Sequence, residues 1–285
     1  MNILKLAIQK SGRLSEKSIQ LLKECGIKLS NEDRKLRSVA KNFPLEILFL
    51  RDDDIPQYVE QGVADVGIVG FNEVAEQQKK VIVVKELGFA QCRISLAIPK
   101  DEPFQSLEYF RNKKIATSYP NILKKFFEEK EIPVEIETIG GSVEIAPGIG
   151  LSHAIFDIVS TGSTLIMNGL KEVYTVMNSE AVLIRNEQFS EEKNFILNKL
   201  LFRLEAVKNA AENKYILLNA PNSVIPEIIK ILPGMKSPTI LPLAQEGWSS
   251  LHSVVKEDQF WDIIDQLKAL GAQGILVCSI EKMVI

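Results

Sequence analysis

The sequence is poor in the residues that build disulfide frameworks and metal centres. Its 285 residues include three cysteines (Cys25, Cys92 and Cys278) and two histidines (His153 and His252). The cysteines are widely separated without a Cys-x-x-Cys pair, and the histidines are far apart. This pattern argues against a disulfide scaffold and against a zinc or histidine-based metal site. It is typical of a protein of the reducing cytoplasm, where we expect this chain to reside.

The sequence also lacks an excess of one charge and long apolar runs. Its 34 Lys and Arg residues nearly balance its 37 Asp and Glu residues, which gives a formal net charge of -3. A nucleic-acid binder usually carries a basic stripe, and none is present. No apolar run reaches the ~18 residues that span a bilayer, and the amino-terminal one is too short for a secretory signal. We therefore expect neither a nucleic-acid partner nor a membrane association.

What the sequence does contain is an alternation of short apolar segments and amphipathic segments through its first two-thirds. This alternation predicts an α/β fold with mostly parallel sheets, whose ligands bind at the carboxyl ends of the strands. The predicted strands are 3–8, 45–50, 66–69, 81–87, 93–98, 114–116, 135–139 and 156–159, and the predicted helices are 15–25, 121–130 and 165–170.

The alternating region is predicted to form two lobes, with a ligand in the cleft between them. The chain would cross to the second lobe near residues 88–90 and return at 181–185. After a long helix at 191–213, strands at 215–218, 239–243, 248–255 and 275–279 enclose helices at 223–232 and 258–270. That βαββαβ order is typical of a ferredoxin-like module. Without an evident catalytic set, the module is assigned a regulatory or interaction role; alternatively, it only completes the core or an oligomer interface.

The most informative segment begins at Asp157, near the end of an apolar strand. Ser160, Thr161, Gly162, Ser163 and Thr164 follow it and bring hydroxyls and backbone N–H groups into one turn. A glycine-containing turn at the start of a helix suits an anion, and Asp157 could accept hydrogen bonds from sugar hydroxyls. The segment therefore suggests a sugar-phosphate site. Ser, Thr and Gly are equally ordinary turn and capping residues.

Two charged clusters follow other predicted strands. Lys10, Ser11, Gly12 and Arg13 would suit a polyphosphate, or form a solvated turn before a helix. Arg51 precedes three carboxylates at 52–54. Those carboxylates could hold Mg²⁺, or cap the helix that Ile55 and Pro56 begin. Arg51 is the better functional candidate.

Two further strand ends carry candidate residues. Tyr119, in the segment Thr117-Ser118-Tyr119-Pro120, could line a nucleotide pocket or belong to a helix cap. Glu144 lies in a loop that begins with Gly140 and Gly141, which allow the backbone to approach a ligand closely. That glutamate could face a ribose or its leaving group, or lie exposed on a tight connection.

Together these runs resemble the ATP phosphoribosyltransferase family in its long form, and the resemblance covers essentially the whole chain. Several independent motifs occur in the family's order. They are Ile8 to Leu14, Arg51 to Pro56, Ala116 to Pro120, Gly141 to Pro147, Asp157 to Leu165, Pro238 to Leu243 and Ile280 to Met283.

The resemblance implies two catalytic lobes similar to periplasmic binding proteins, formed by 1–90 with 181–213 and by 91–180. A ferredoxin-like regulatory domain would occupy 214–285. The implied reaction transfers the phosphoribosyl group of phosphoribosyl pyrophosphate to N1 of ATP and releases pyrophosphate, as the first step of histidine biosynthesis. The resemblance also implies Mg²⁺ bound mainly through substrate phosphates, a homohexamer, and feedback inhibition by L-histidine. A histidyl-tRNA-synthetase-like subunit would not be required.

Site roles are carried over on the matching motifs only. Asp157 would hold the ribose hydroxyls, and Ser160 to Thr164 would hold the 5′-phosphate. The segment from Lys10 to Arg13, with Tyr119, would contact ATP. The implied catalytic residues are Asp157, Lys10, Arg13, Arg51 and Glu144.

The chain departs from the family pattern in three places, one of which is the stretch from Glu73 to Lys80, shorter than in some long-form relatives. Ser152-His153 stands where many relatives have Ala-Asp, and Phe71-Asn72 stands where relatives commonly carry acidic or polar residues. Two other functions stay open on the residues alone. One is a solute-binding protein with the same two-lobe fold, and the other is an amino-acid sensor centred on the C-terminal module.

Overall fold

The computed structural model describes residues 3–30, 36–232, 234 and 237–285. No helix in this part of the chain combines the length and the apolar character that a membrane span requires. By internal contacts the chain divides into two compact units. The first comprises Met1–Gln20 with Ile27–Ile196, and the second comprises Leu21–Gly26 with Leu197–Ile285.

The described residues form strands and helices in an alternating order. The strands are β1 (Leu4–Gln9), β2 (Arg37–Val39), β3 (Leu45–Leu50), β4 (Val66–Gly70), β5 (Val81–Glu86), β6 (Cys92–Pro99), β7 (Lys114–Thr117), β8 (Glu135–Thr138), β9 (Ala154–Val159), β10 (Leu170–Ser179), β11 (Ala181–Asn186), β12 (Asn213–Pro221), β13 (Thr239–Pro242), β14 (Trp248–Lys256) and β15 (Gln273–Ser279). The helices are α1 (Arg13–Glu24), α2 (Ile55–Glu60), α3 (Phe71–Gln77), α4 (Pro120–Glu129), α5 (Ser163–Met167), α6 (Glu191–Glu212), α7 (Ile225–Ile231) and α8 (Glu257–Ala269).

The first unit contains two mixed sheets. The six-stranded sheet has the order β2-β3-β1-β4-β11-β5, and the five-stranded sheet has the order β10-β6-β9-β7-β8. Strand β1 is parallel to β3 and β4, and β7 is parallel to β8 and β9. The central strands are apolar because both of their faces are covered, as Ile8 and Phe156 show with no exposed surface.

The prediction of mostly parallel sheets is wrong. Four of the nine neighbouring strand pairs in these two sheets are parallel, and the other five are antiparallel. The chain passes from one sheet to the other between β5 and β6 and returns between β10 and β11. After each passage it pairs antiparallel with a strand of its new sheet. The alternation of elements indicates that strands and helices occur but does not reveal the direction of crossing strands.

The predicted helix at 165–170 is misplaced. Helix α5 begins earlier, at Ser163, and ends at Met167. Leu170 is already the first residue of β10, an unpredicted strand that pairs with β6. Strand β2 and helix α3 were also not predicted.

The second unit contains the ferredoxin-like module, as predicted. Its elements follow the order βαββαβ, from β12 to β15 with α7 and α8, and its antiparallel sheet has the order β13-β14-β12-β15. Alternate residues of β12, such as Ile216 and Leu218, pack with Ile228 of α7 and Leu267 of α8 in a buried cluster. The module therefore has a hydrophobic core of its own.

Candidate functional site

The parallel strands of the first unit bring the predicted loops to two sheet edges. In the six-stranded sheet, Gln9 is in register with Leu50 at the ends of β1 and β3, and β4 runs beside them in the same direction. In the five-stranded sheet, Thr117 of β7 is level with Thr138 of β8 and with Phe156 of β9. The loops that follow these strands are therefore neighbours at each edge.

The first edge presents the segment from Lys10 to Arg13 to solvent. All four residues are exposed, and α1 begins at Arg13. The backbone N–H of Lys10 donates to the carbonyl of Leu50 at 2.8 Å, which ties this segment to the loop that carries Arg51. Two exposed cations at a strand end can contact a polyphosphate without a large desolvation cost.

The carboxylates at 52–54 are not assembled as one ligand set. Both oxygens of Asp53 accept hydrogen bonds from the exposed Arg51 guanidinium at 3.2 Å. Asp52 accepts one from the side chain of Gln9 at 3.1 Å. Asp54 precedes α2 but makes no side-chain cap hydrogen bond. Within residues 3–30, 36–232, 234 and 237–285, no group of three or more Asp, Glu, His or Cys side chains could hold a metal ion.

The second edge carries the turn that follows β9. Ser160, Thr161, Ser163 and Thr164 are exposed, and Gly162 adopts a positive φ of 81° directly before α5. The hydroxyls of Thr161 and Ser163 lie 3.0 Å apart. The first N–H groups of a helix have no partner within the helix, so this turn offers both hydroxyl and amide donors to an anion.

Asp157 and Glu144 come together beside this turn. Burial raises the pKa of Asp157 from 3.8 to about 6, against a hydrogen bond from the Ile158 N–H at 2.8 Å. The charge of Glu144 raises the pKa of Asp157 further, which places the two carboxylates within electrostatic reach. A half-buried carboxylate that receives few hydrogen bonds from the protein can accept further ones from the hydroxyl groups of a polyol.

Tyr119 is buried at the same edge and connects it to the other sheet. Its backbone N–H donates to the Thr117 hydroxyl at 2.8 Å. Burial is the main cause that raises the pKa of its phenol, followed by the charges of Glu73 and Asp157. Tyr119 is therefore within electrostatic reach of both the Glu73 carboxylate of α3 and the carboxylate of Asp157.

An ion pair that supports the turn following β9 was not predicted from the sequence. Arg93 of β6 donates to the backbone carbonyl of Ser160 at 3.1 Å and forms an ion pair with Glu172 of β10. Hydrogen bonds from Arg93, assisted by one from the Ser95 hydroxyl, lower the pKa of Glu172 to about 2. Arg93 and Glu172 are 79 positions apart, so no local pattern indicates the pair.

Comparison with family models gives two matches. The model "HisG: ATP phosphoribosyltransferase" matches residues 51–206, and the model "HisG, C-terminal domain" matches residues 210–282. A protein of Phocaeicola vulgatus named ATP phosphoribosyltransferase is 59% identical over 283 residues, which are 99% of this chain and 100% of that protein. A protein of the same name from Cytophaga hutchinsonii is 59% identical over 282 residues, or 99% of each chain.

Solved structures show related folds. A chain of the ATP phosphoribosyl transferase (HisG:HisZ) complex from Thermotoga maritima aligns with a TM-score of 0.63 and 32% identity, over 71% of this chain and 96% of that one. The substrate binding protein of an amino acid ABC transporter aligns with a TM-score of 0.50 and 14% identity, over 74% and 95%. The second likeness concerns the fold alone and agrees with the predicted periplasmic-binding-protein-like lobes.

Proposed function

The chain belongs to the ATP phosphoribosyltransferase family, whose glycosyl transfer is the first step of histidine biosynthesis, and on this premise we propose its reaction in detail. The enzyme transfers the 5-phosphoribosyl group of phosphoribosyl pyrophosphate to N1 of the ATP adenine. The N1–C1′ bond forms while the C1′–oxygen bond breaks, and its electron pair leaves with pyrophosphate. Adenine N1 has a free lone pair at neutral pH, so the attack needs no strong base.

The observation that carries this proposal is the combination of Asp157 with the turn that follows it. The hydroxyls and N–H groups from Ser160 to Thr164 would hold the 5′-phosphate of the donor. The Asp157 carboxylate would accept hydrogen bonds from the ribose hydroxyls. Its negative charge would also stabilise the positive charge that develops on the ribose, an interaction that strengthens in the transition state.

The cations of the first edge would act on the other end of the reaction. Lys10 and Arg13 would contact the phosphates of ATP or pyrophosphate, with the segment from Ser11 to Gly12 between them. Arg51 would join them after exchanging Asp53 for a phosphate, which an exposed ion pair permits at little cost. Tyr119 would border the adenine, and Glu144 would lie beside the ribose.

Mg²⁺ is proposed as the cofactor, bound mainly through the substrate phosphates. The split carboxylates at 52–54 support this assignment, because Asp53 and Asp52 already accept hydrogen bonds from Arg51 and Gln9. Mg²⁺ usually keeps several waters and is bound by few carboxylates together with phosphates. When bound, it would neutralise charge on the departing pyrophosphate.

The C-terminal module is proposed to bind L-histidine as a feedback inhibitor. We propose residues 1–90 with 181–213 and residues 91–180 as the catalytic lobes, and residues 214–285 as the regulatory domain in a homohexamer. The match of residues 210–282 to the HisG C-terminal domain supports a self-sufficient chain. A HisZ-type partner, as in the Thermotoga maritima complex, would then not be required.

The test of the reaction is the stoichiometry of its products. Purified protein is incubated with ATP, phosphoribosyl pyrophosphate and Mg²⁺, and both pyrophosphate and the ribosylated nucleotide are quantified. We expect one pyrophosphate per N1-phosphoribosyl-ATP, and neither product when one substrate is omitted. Binding of both substrates without any pyrophosphate release would contradict the proposal and favour a binding protein.

A further inference from the structure

Helix α3 carries three buried polar side chains to which the proposed reaction assigns no role. Asn72, Glu73 and Glu76 are exposed by 5%, 8% and 5% respectively. Burial of a carboxylate is costly unless specific partners compensate it. The helix follows β4 of the six-stranded sheet, whereas the partners described below belong partly to the five-stranded sheet.

Asn72 is held in one orientation by Ser179 at the end of β10. The Ser179 hydroxyl donates to Oδ1 of Asn72 at 2.9 Å and accepts from its backbone N–H at 2.9 Å. Gly70 makes room for this arrangement, because a Cβ at that position would lie 2.3 Å from Oδ1 of Asn72. Asn72 is therefore held at two points, its backbone N–H and its side-chain amide oxygen.

The amide nitrogen of Asn72 is then directed at two groups, one on α3 and the other directly before α4. Nδ2 of Asn72 donates to Oε1 of Glu73 at 2.9 Å and to the Tyr119 hydroxyl at 3.4 Å. The Tyr119 hydroxyl also lies near the Glu73 carboxylate and lowers its pKa. The Glu73 carboxylate thus accepts from the Asn72 amide and faces the phenol of Tyr119.

Glu76 fixes the backbone that follows Tyr119. Its carboxylate oxygens accept the backbone N–H groups of Asn121 and Ile122 at 3.0 Å each, in the first turn of α4. Its backbone carbonyl accepts the side-chain amide of Asn121 at 2.9 Å. Helix α3 therefore holds both the side chain of Tyr119 and the helix that begins at the next residue.

The charges around Glu73 make its ionisation sensitive to neutral pH. Burial is the main cause that raises its pKa from 4.5 to about 7, and the charge of Asp52 is the next. Asp53 of the same loop and Glu76 of α3 raise the pKa further, while the nearby Tyr119 hydroxyl lowers it. Ionised Glu73 offers two acceptor oxygens, and the protonated acid uses one of them for its own proton.

We propose that Asn72 and Glu73 are positioning residues for the reaction, which fix Tyr119 of the opposite lobe beside Asp157. This inference rests on the proposed function and deepens it. Asn72 and Glu73 act through Tyr119 rather than through the reacting atoms. With its hydroxyl held by α3, the Tyr119 ring keeps one position at the edge that carries Asp157. Without these contacts to α3, the Tyr119 side chain can adopt other rotamers. This loss lowers turnover more than it weakens substrate binding.

The first experiment compares wild type with Glu73→Gln across pH. A glutamine has one acceptor oxygen and no charge, so the group that accepts from the Asn72 amide and faces the Tyr119 phenol is weakened. At pH 8 we expect kcat to fall about tenfold, with both KM values within about twofold. Below pH 6 the wild-type glutamate is protonated, and the ratio of the two kcat values should approach one. Because the same substrates are used, their own ionisations cancel in that ratio.

Three further variants separate positioning from a general loss of structure. Tyr119→Phe should reduce kcat to a similar extent, and the double variant should be no worse than either single one, because both changes break the same contact. Glu129→Gln, which alters an exposed carboxylate on α4, should behave as wild type. Thermal unfolding by circular dichroism checks that each variant is folded.

A measurement that needs no turnover tests the contact between Glu73 and Tyr119 by itself. Carbon-13 NMR of the glutamate carboxyls should show Glu73 titrating near pH 7, and Tyr119→Phe should raise that pKa because the hydroxyl that lowers it is removed. A kcat ratio that does not change with pH, independent losses that multiply in the double variant, or an unmoved pKa would each overturn the proposal. If wild type itself releases no pyrophosphate, the proposed reaction fails, while the NMR titration still decides the contact.

Discussion

Replacement of Asp157 by asparagine should make the protein more stable and nearly inactive. Burial raises the pKa of this carboxyl from 3.8 to about 6, so the folded state holds the proton more tightly than the unfolded chain. The free energy of unfolding therefore falls as the pH rises from about 4 to about 6, and the loss is complete above that range. At 1.36 kcal/mol per pH unit, ionised Asp157 costs about 3 kcal/mol at pH 8.

Asparagine stays neutral and avoids this cost, so the variant should gain up to about 3 kcal/mol at pH 8 and about half of that at pH 5. Turnover should fall by at least about a hundredfold, because the negative charge that stabilises the developing positive charge on the ribose is lost. Urea unfolding followed by circular dichroism and pyrophosphate release measure the two effects. Tryptophan fluorescence is unsuitable for the stability measurement, since both tryptophans, Trp248 and Trp261, lie in the second unit.

The Asp157→Asn measurements have a matched control, and two outcomes would contradict the expected result. Asp101→Asn changes an exposed carboxyl and should alter neither stability nor activity. An Asp157→Asn protein that is no more stable than wild type at pH 8 would refute the electrostatic cost. Near-normal turnover in that variant would refute the assignment of Asp157 to the site.

Three other changes test separate parts of the account. Gly162→Ala should lower the free energy of unfolding by about 1–2 kcal/mol, because a φ of 81° strains a residue with a Cβ. The same variant should raise the KM for phosphoribosyl pyrophosphate more than the KM for ATP. Equal effects on the two KM values would argue against a phosphate role for this turn. Glu76→Ala removes the acceptor of two α4 N–H groups and should lower the free energy of unfolding by about 2–4 kcal/mol in urea titrations, which an unchanged midpoint would contradict. Deletion of residues 214–285 should abolish inhibition by L-histidine in a rate assay, and full inhibition of a soluble truncated enzyme would disprove the regulatory assignment.

Local patterns were enough for the elements that carry the predicted loops. Apolar runs next to turn residues predicted β1, β3 and β9, and the Pro at the start of α2 is where the sequence indicated it. The βαββαβ order of the last third was also visible, because its helices repeat apolar residues at helical spacing. These features depend on neighbours in the sequence, which is why the sequence reveals them.

Other features depend on residues that are distant along the chain. Strand β10 is defined by its pairing with β6, from Leu170 opposite Pro99 to Ser179 opposite Cys92. Helix α3 follows a glycine and buries polar residues, so it has no apolar stripe that would indicate a helix. The contact of Asn72 with Tyr119 joins positions 47 apart, and no spacing rule anticipates it.

The residues of the candidate site also fall into two groups, those that the local sequence indicates and those that depend on distant residues. The sequence predicted candidate positions at Asp157, in the turn after it and at Lys10 and Arg13, because they lie at or just beyond the end of a recognisable strand. It left open whether the carboxylates at 52–54 bind a metal, and the structure instead engages Asp53 with Arg51 and Asp52 with Gln9. Arg93 and Glu73 stayed unnoticed because their partners come from other strands and loops.

Binding of phosphoribosyl pyrophosphate at Asp157 and the turn after it can be measured by calorimetric titration into the folded, magnesium-supplied protein. We expect a saturable heat with one donor bound per chain, and a much weaker response from Asp157→Asn. A wild-type titration without any heat of association, or one that Asp157→Asn reproduces unchanged, would contradict this expectation.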